Sequence, residues 1–150
     1  MANICRSPTA EEIFRVKVHQ EKLESVICTA SAGTIGKFIG KPADKGAAKA
    51  AKRGKYTLEH HVARKVSKED CGRYDYIVAV DMYNLLEVQE LCPAEEHRKL
   101  HLLLDFAEGF ENSDVPDPYK RSPKHYDYAL ELIERGVQGL LEHIRQAHKI

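Results

Sequence analysis

Three short runs of this chain, Val26 to Ala30, Tyr76 to Val80 and Leu100 to Leu104, are almost continuously apolar or β-branched. A strand with one face in water alternates apolar and polar residues. A strand covered on both faces does not, and the crossover helices of a parallel sheet cover both. Helical segments lie around the runs: Ser7 to about Leu23, Ala43 to Arg53 ahead of Gly54, Tyr83 to Leu91 ahead of Pro93, and Tyr126 to His143. The last sets Ala129, Ile133, Val137, Leu140 and Ile144 along one stripe, the spacing of a core-facing helix. The expectation is one α/β domain over residues 1–150, three layers α/β/α around a parallel sheet, with ligands beyond the carboxyl ends of the strands.

The segment Asn3-Ile4-Cys5-Arg6-Ser7-Pro8-Thr9 offers the means by which proteins hold phosphate: backbone N–H groups, a helix N-terminus and a guanidinium that can make paired contacts. Ser7 suits the N-cap and Pro8 the first helical position, where its missing N–H is harmless; Glu11 and Glu12 follow near the positive end of the dipole. A helix is expected to start at Ser7 or Pro8. Arg6 would then stand at its mouth, and Asn3, Ile4, Cys5, Arg6 and Ser7 are the candidate phosphate-binding residues.

The stretch from Asn3 to Glu11 resembles the active-site loop of the low-molecular-weight protein tyrosine phosphatases, in which a buried strand ends in a cysteine followed by five residues, arginine and serine. The family's second landmark is an Asp-Pro-Tyr loop in the last third of the chain, matched by Asp117-Pro118-Tyr119. Thr29 to Thr34 and Gly40 to Asp44 resemble the family's segment after its second strand. The resemblance implies Arg6 and Asp117 as catalytic residues, and Asn3, Ser7, Ser31 and His60 as the hydrogen-bonding group that holds the loop. It also implies Tyr119 as an aromatic wall beside the substrate ring, with Lys37 on the opposite rim and Phe38 beside it. Neither metal nor cofactor is implied. Substrates would be phosphotyrosine proteins or small aryl phosphates, with inorganic phosphate as a competing ligand, acting on a monomer.

One departure stands out. Counting six positions back from Arg6 puts the family's nucleophilic cysteine at the residue just before Met1, so these 150 residues do not include it. The family's first, central strand lies ahead of it in the same way. A buried strand of about six apolar residues is worth on the order of 10 kcal/mol, and a whole domain only about 5–15 kcal/mol. A chain truncated at Met1 is therefore expected to be inactive and marginally stable, or rescued by swapping or oligomerising. Two further readings remain open: a catalytically dead phosphate-binding or regulatory relative, and an arsenate reductase of the same fold, which would need redox cysteines near the loop.

The other cysteines do not replace the missing one. Cys5 adjoins Arg6 and cannot occupy the loop's centre; Cys92 to Arg98 has the right spacing, but Glu95 and Glu96 would repel phosphate and Pro93 removes a donor. Cys28 and Cys71 read as unpaired thiols and Cys92 as a helix-end cysteine. Lys plus Arg and Asp plus Glu stand at 23 each, giving no global pull toward nucleic acid or anionic membrane. Four cysteines without paired spacing, and no leader or long apolar span, suggest a reduced, cytoplasmic protein. His97 and His101 have metal-ligand spacing but straddle a strand-like run, and the lysines from Lys45 to Lys55 read as a solvated helix face.

Overall fold

The computed structural model describes all 150 residues. Five α-helices and two strands follow in the order α1 (Arg6–Gln20), α2 (Lys45–Arg53), α3 (Lys68–Arg73), β1 (Ile77–Ala79), α4 (Met82–Leu91), β2 (Leu100–Leu102) and α5 (Pro123–His148). Short 3-10 turns cover Ala94–Lys99 and Leu103–Phe106. β1 and β2 pair in parallel, Ile77 opposite Leu100 and Ala79 opposite Leu102, and a lone parallel bridge joins Gly33 to Lys65. This is the expected layered α/β arrangement around a small parallel sheet.

Side chains on the two faces of the sheet enter different cores. Val78 packs into the main cluster, built from Ile13, Phe14 and Val18 of α1 and Leu132, Ile133, Val137, Leu140 and Ile144 of α5. Ile77 and Leu100 pack against the cluster of Cys71, Val88 and Cys92 on α3 and α4. α5 lies close to the turn after β2: a Cβ on Gly139 would come within 1.7 Å of the Phe106 carbonyl oxygen, so only glycine fits there. No helix is long and apolar enough to cross a membrane.

Several expectations are corrected. Val26 to Ala30 is not a strand; Cys28 to Ala32 belong to no helix, strand or turn and make no backbone–backbone hydrogen bond, and a strand exists only through its partner. Helix α3 went unread, although Ser67 and Asp70 form a capping box there. α1 begins at Arg6 with Cys5 as N-cap, two residues before the expected cap Ser7. Cys71 and Cys92 are not free thiols but form a disulfide across 21 residues, which leaves Cys5 and Cys28 free.

Candidate active site

Asn3 is the hub of the loop. Its backbone is left-handed, φ 62°, a conformation that asparagine tolerates better than most residues, and its side chain is 2% exposed. Its Nδ2 donates to Ser7 Oγ and to Ser31 Oγ, each at 2.9 Å, while its Oδ1 accepts from the Arg64 amide at 3.0 Å. Ser31 in turn donates to the Glu11 carboxylate. Ser7 thus serves the loop from inside the helix rather than capping it.

The expected His60 is exposed, and its neighbour does the work: His61 Nε2 lies 2.6 Å from the Asn3 carbonyl oxygen, so that nitrogen carries the proton. Beneath the loop, Gly33 approaches so closely that a Cβ there would stand 2.2 Å from the Met1 carbonyl oxygen.

Arg6 begins α1 and is 6% exposed. Its Nη1 donates to Asp81 Oδ2 and to the Val115 carbonyl, both at 2.7 Å. Its Nη2 lies 3.9 Å from Asp117 Oδ2. Two anchors on one nitrogen fix the guanidinium plane and leave the other nitrogen facing the acid. Asp81 is also the N-cap of α4, accepting from the Asn84 amide, so one carboxylate ties the strand-end turn to the arginine. Sequence reasoning missed Asp81; its place directly after the Tyr76–Val80 run, at the carboxyl end of a strand, was the available signal.

Asp117 is partly exposed, and its Oδ1 accepts from the Tyr119 amide, a turn that aims the other oxygen inward. A cavity of about 200 Å³ is lined by Met1 to Ser7, Lys37, Phe38, Asp117 and Tyr119. Phe38 and Tyr119 meet edge to face at 6.3 Å, so Phe38 supplies the aromatic rim opposite Tyr119. Lys37 Nζ sits 5.3 Å over the Phe38 ring and Lys120 Nζ 5.4 Å over that of Tyr119. The two rings meet at the mouth with a lysine over the face of each.

Cys5 lines the cavity but is not poised as a nucleophile. Burial, reinforced by the Asp44 carboxylate, pushes its thiol far above the ordinary range despite the adjacent Arg6, so it stays protonated. Cys92 is disulfide-bonded, and neither it nor Cys71 lines the cavity. His97 Nε2 bonds the Gln89 and Cys92 carbonyls at the end of α4, while His101 sits among Tyr76 and Phe106.

The likeness to known proteins follows the same geometry. Residues 1–149 match the family model of the low molecular weight phosphotyrosine protein phosphatases. The chain is 33% identical to the low molecular weight protein-tyrosine-phosphatase YfkJ of Bacillus subtilis over 150 residues, covering all of this chain and 95% of that protein. The crystal structure of YfkJ superposes with a TM-score of 0.91 at 34% identity, covering 98% of this chain and 91% of that one. A protein tyrosine phosphatase of Entamoeba histolytica superposes with a TM-score of 0.94 at 28% identity, covering 99% and 94%. An arginine-headed loop facing an Asp-Pro-Tyr turn, carried on this layered fold, therefore places the chain in the low molecular weight protein tyrosine phosphatase family.

Proposed function

We propose that this domain acts on aryl phosphate monoesters, phosphotyrosine above all, with Arg6 as phosphate ligand, Asp117 as general acid and base, and the nucleophile supplied by a cysteine directly preceding Met1. The observation that carries the reading is the 3.9 Å approach of Asp117 to the Arg6 guanidinium across a cavity walled by Phe38 and Tyr119. Arg6 holds equatorial phosphoryl oxygens as charge spreads over them. The thiolate sulfur attacks phosphorus, the ester P–O bond breaks, and Asp117 gives its proton to the departing phenolate. A phenolate leaves poorly unprotonated, so a placed acid is worth roughly 10²–10⁴-fold. Asp117 then takes a proton from water, which displaces the sulfur and releases phosphate. Guanidinium and amides neutralise the dianion, and no step calls for a metal.

The 150 residues by themselves are a phosphate-binding domain without turnover in this reading. An arsenate reductase would want redox cysteines at the loop, whereas Cys71 and Cys92 are bonded to each other and line no part of its cavity. The test is a titration of the 150-residue chain with phenylphosphonate, beside an assay with p-nitrophenyl phosphate. Binding that Arg6→Lys abolishes, with no phosphate release, is expected. Vanadate-sensitive turnover by a mass-verified chain, or no phosphonate binding, overturns the reading.

A further inference from the structure

Charge is divided unevenly along a chain whose totals cancel. Residues 37–65 hold nine lysines and arginines against two carboxylates, Asp44 and Glu59, so with histidine neutral this stretch carries +7 and the remainder of the chain −7. Two of the nine cations are taken, Arg53 by Asp127 and Arg64 by Asp70. The other seven are lysines, all exposed and none in an ion pair.

Three of these lysines share one face of α2. Successive helical residues turn by about 100°, which sets Lys45, Lys49 and Lys52 within an arc of about 60°, opposite Ala47, Ala50 and Ala51 in the core. The stripe starts at the phosphate-binding loop. Asp44 caps α2 and its amide donates to the Ile4 carbonyl at 2.8 Å, while the Lys41 amide donates to the carbonyl of Phe38, a wall of the cavity, at 2.9 Å. Lys52 lies about 10 Å beyond Lys45 at about 1.5 Å of rise per residue. Lys37 on the cavity rim, Lys41 and this helix face therefore make one cationic track leading out from the mouth. Beside it, the Gly40 amide donates to the Ala63 carbonyl and the Ala63 amide to that of Lys41, both at 2.8 Å, which brings together Ile39 and Val62, 59% and 63% exposed.

We propose that the track docks an acidic segment of the protein substrate, a run of aspartate or glutamate adjoining the phosphotyrosine held at Arg6. The identity of that substrate rests on the phosphatase reading above; the affinity of the track for an acidic chain does not. An extended chain puts a side chain on one face about every 6–7 Å, close to the rise of about 6 Å from Lys45 to Lys49 and about 4.5 Å from Lys49 to Lys52. An anionic membrane is a poorer match, because the apolar face of α2 is committed to the core and has nothing to insert. A nucleic acid is also a poorer match: both arginines of the stretch are paired, and α2 has no aromatic residue to stack a base. Either extended polyanion would also meet the −7 of the remaining chain, whereas a short segment senses only the track, since screening limits its reach to about 8 Å at physiological salt.

Four probes test the proposal by titration of the full 150-residue chain. They are phenylphosphonate, a peptide with a phosphonate analogue of phosphotyrosine flanked on both sides by glutamates, the same peptide with glutamines, and the glutamate peptide with phenylalanine in place of the phosphonate. An exposed ion pair is worth about twofold, so three in register should make the glutamate phosphonate peptide bind roughly tenfold tighter than the glutamine one in dilute buffer, and most of that advantage should vanish at about 0.5 M salt. Changing Lys45→Gln, Lys49→Gln and Lys52→Gln together keeps residues of similar helix propensity. That variant should lose the advantage and keep its phenylphosphonate affinity, whereas the same three changes at Lys22, Lys68 and Lys149, outside the stretch, should alter neither. No advantage for glutamate, an advantage that survives the α2 changes, or one that the control changes remove equally overturns the proposal. So does α2-dependent binding of anionic vesicles or an oligonucleotide that the glutamate peptide cannot displace. If phenylphosphonate fails to bind while the phenylalanine peptide still binds through α2, the docking stands and the phosphatase reading falls.

Discussion

Asp81 holds Arg6 through a 2.7 Å ion pair in which the two side chains are only 14% and 6% exposed. A buried pair contributes little net stability relative to an apolar substitute, but breaking one half strands the other charge. Asp81→Ala should therefore cost about 3 kcal/mol in urea unfolding. Asp81→Asn should cost less, since asparagine still caps α4. Added phosphate should narrow the deficit of the alanine variant more than it stabilises the parent, because the anion neutralises the stranded guanidinium. Equal phosphate effects on both proteins would refute Asp81 as the residue that positions Arg6.

Asn3 couples backbone shape to hydrogen bonding, and two substitutions separate the contributions. Asn3→Gly keeps a residue at ease at φ 62° but removes the bonds to Ser7, Ser31 and Arg64. Asn3→Ala removes the same bonds and keeps a Cβ at a left-handed φ without the local hydrogen bonding by which asparagine tolerates it, a strain worth about 1–2 kcal/mol. Both should lose at least about tenfold in phenylphosphonate affinity, since each bond is worth roughly 1 kcal/mol. Only the alanine variant should show the further loss in urea. Parent-like binding by Asn3→Gly would mean that the loop holds its shape without these bonds.

What could be read beforehand divides along a physical line. The stripe from Ala129 to Ile144 and the Tyr76–Val80 run are local patterns, and α5 and β1 formed where they lie. Val26 to Ala30 carried a comparable pattern yet formed no ladder, because pairing depends on a neighbour in space. Ser67 and Asp70 did spell out a capping box, and α3 was legible there without being read. At the site, Arg6 and Asp117 were reachable through motif, whereas Asp81, Phe38 and the shift from His60 to His61 come from tertiary contact. The Cys71–Cys92 bond had no spacing signature, since it needs α3 and α4 to meet beneath the sheet.

His101 offers a pH test away from the loop. Burial lowers its pKa, His143 adds to the effect, and Asp105 opposes it only partly. A histidine whose folded pKa lies below its unfolded value of about 6.5 favours the folded state above that value, and the benefit is lost as pH falls toward the folded pKa. Stability in urea should therefore decline on going from pH 7 to pH 5. His101→Phe, which can still meet Tyr76 and Phe106, should flatten that decline. An unchanged slope in the variant would assign the decline to other groups.

The Cys71–Cys92 disulfide should matter for stability and not for phosphate. Closing a loop of 21 residues restricts the unfolded chain by about 3 kcal/mol at 25 °C. Both cysteines are buried and do not line the cavity at Arg6. Thiol titration of the unreduced, denatured chain should find Cys5 and Cys28 alone. Reduction, or the double change Cys71→Ser and Cys92→Ser, should lower the urea midpoint by an amount equivalent to about 3 kcal/mol. The phenylphosphonate Kd should stay the same, because Arg6 is held through Asp81 and Val115 and not through the cysteines. A reduced protein that keeps its midpoint would show that packing of Val88, Ile77 and Leu100 around the two sulfurs already holds α3 to α4, leaving the bond with nothing to add.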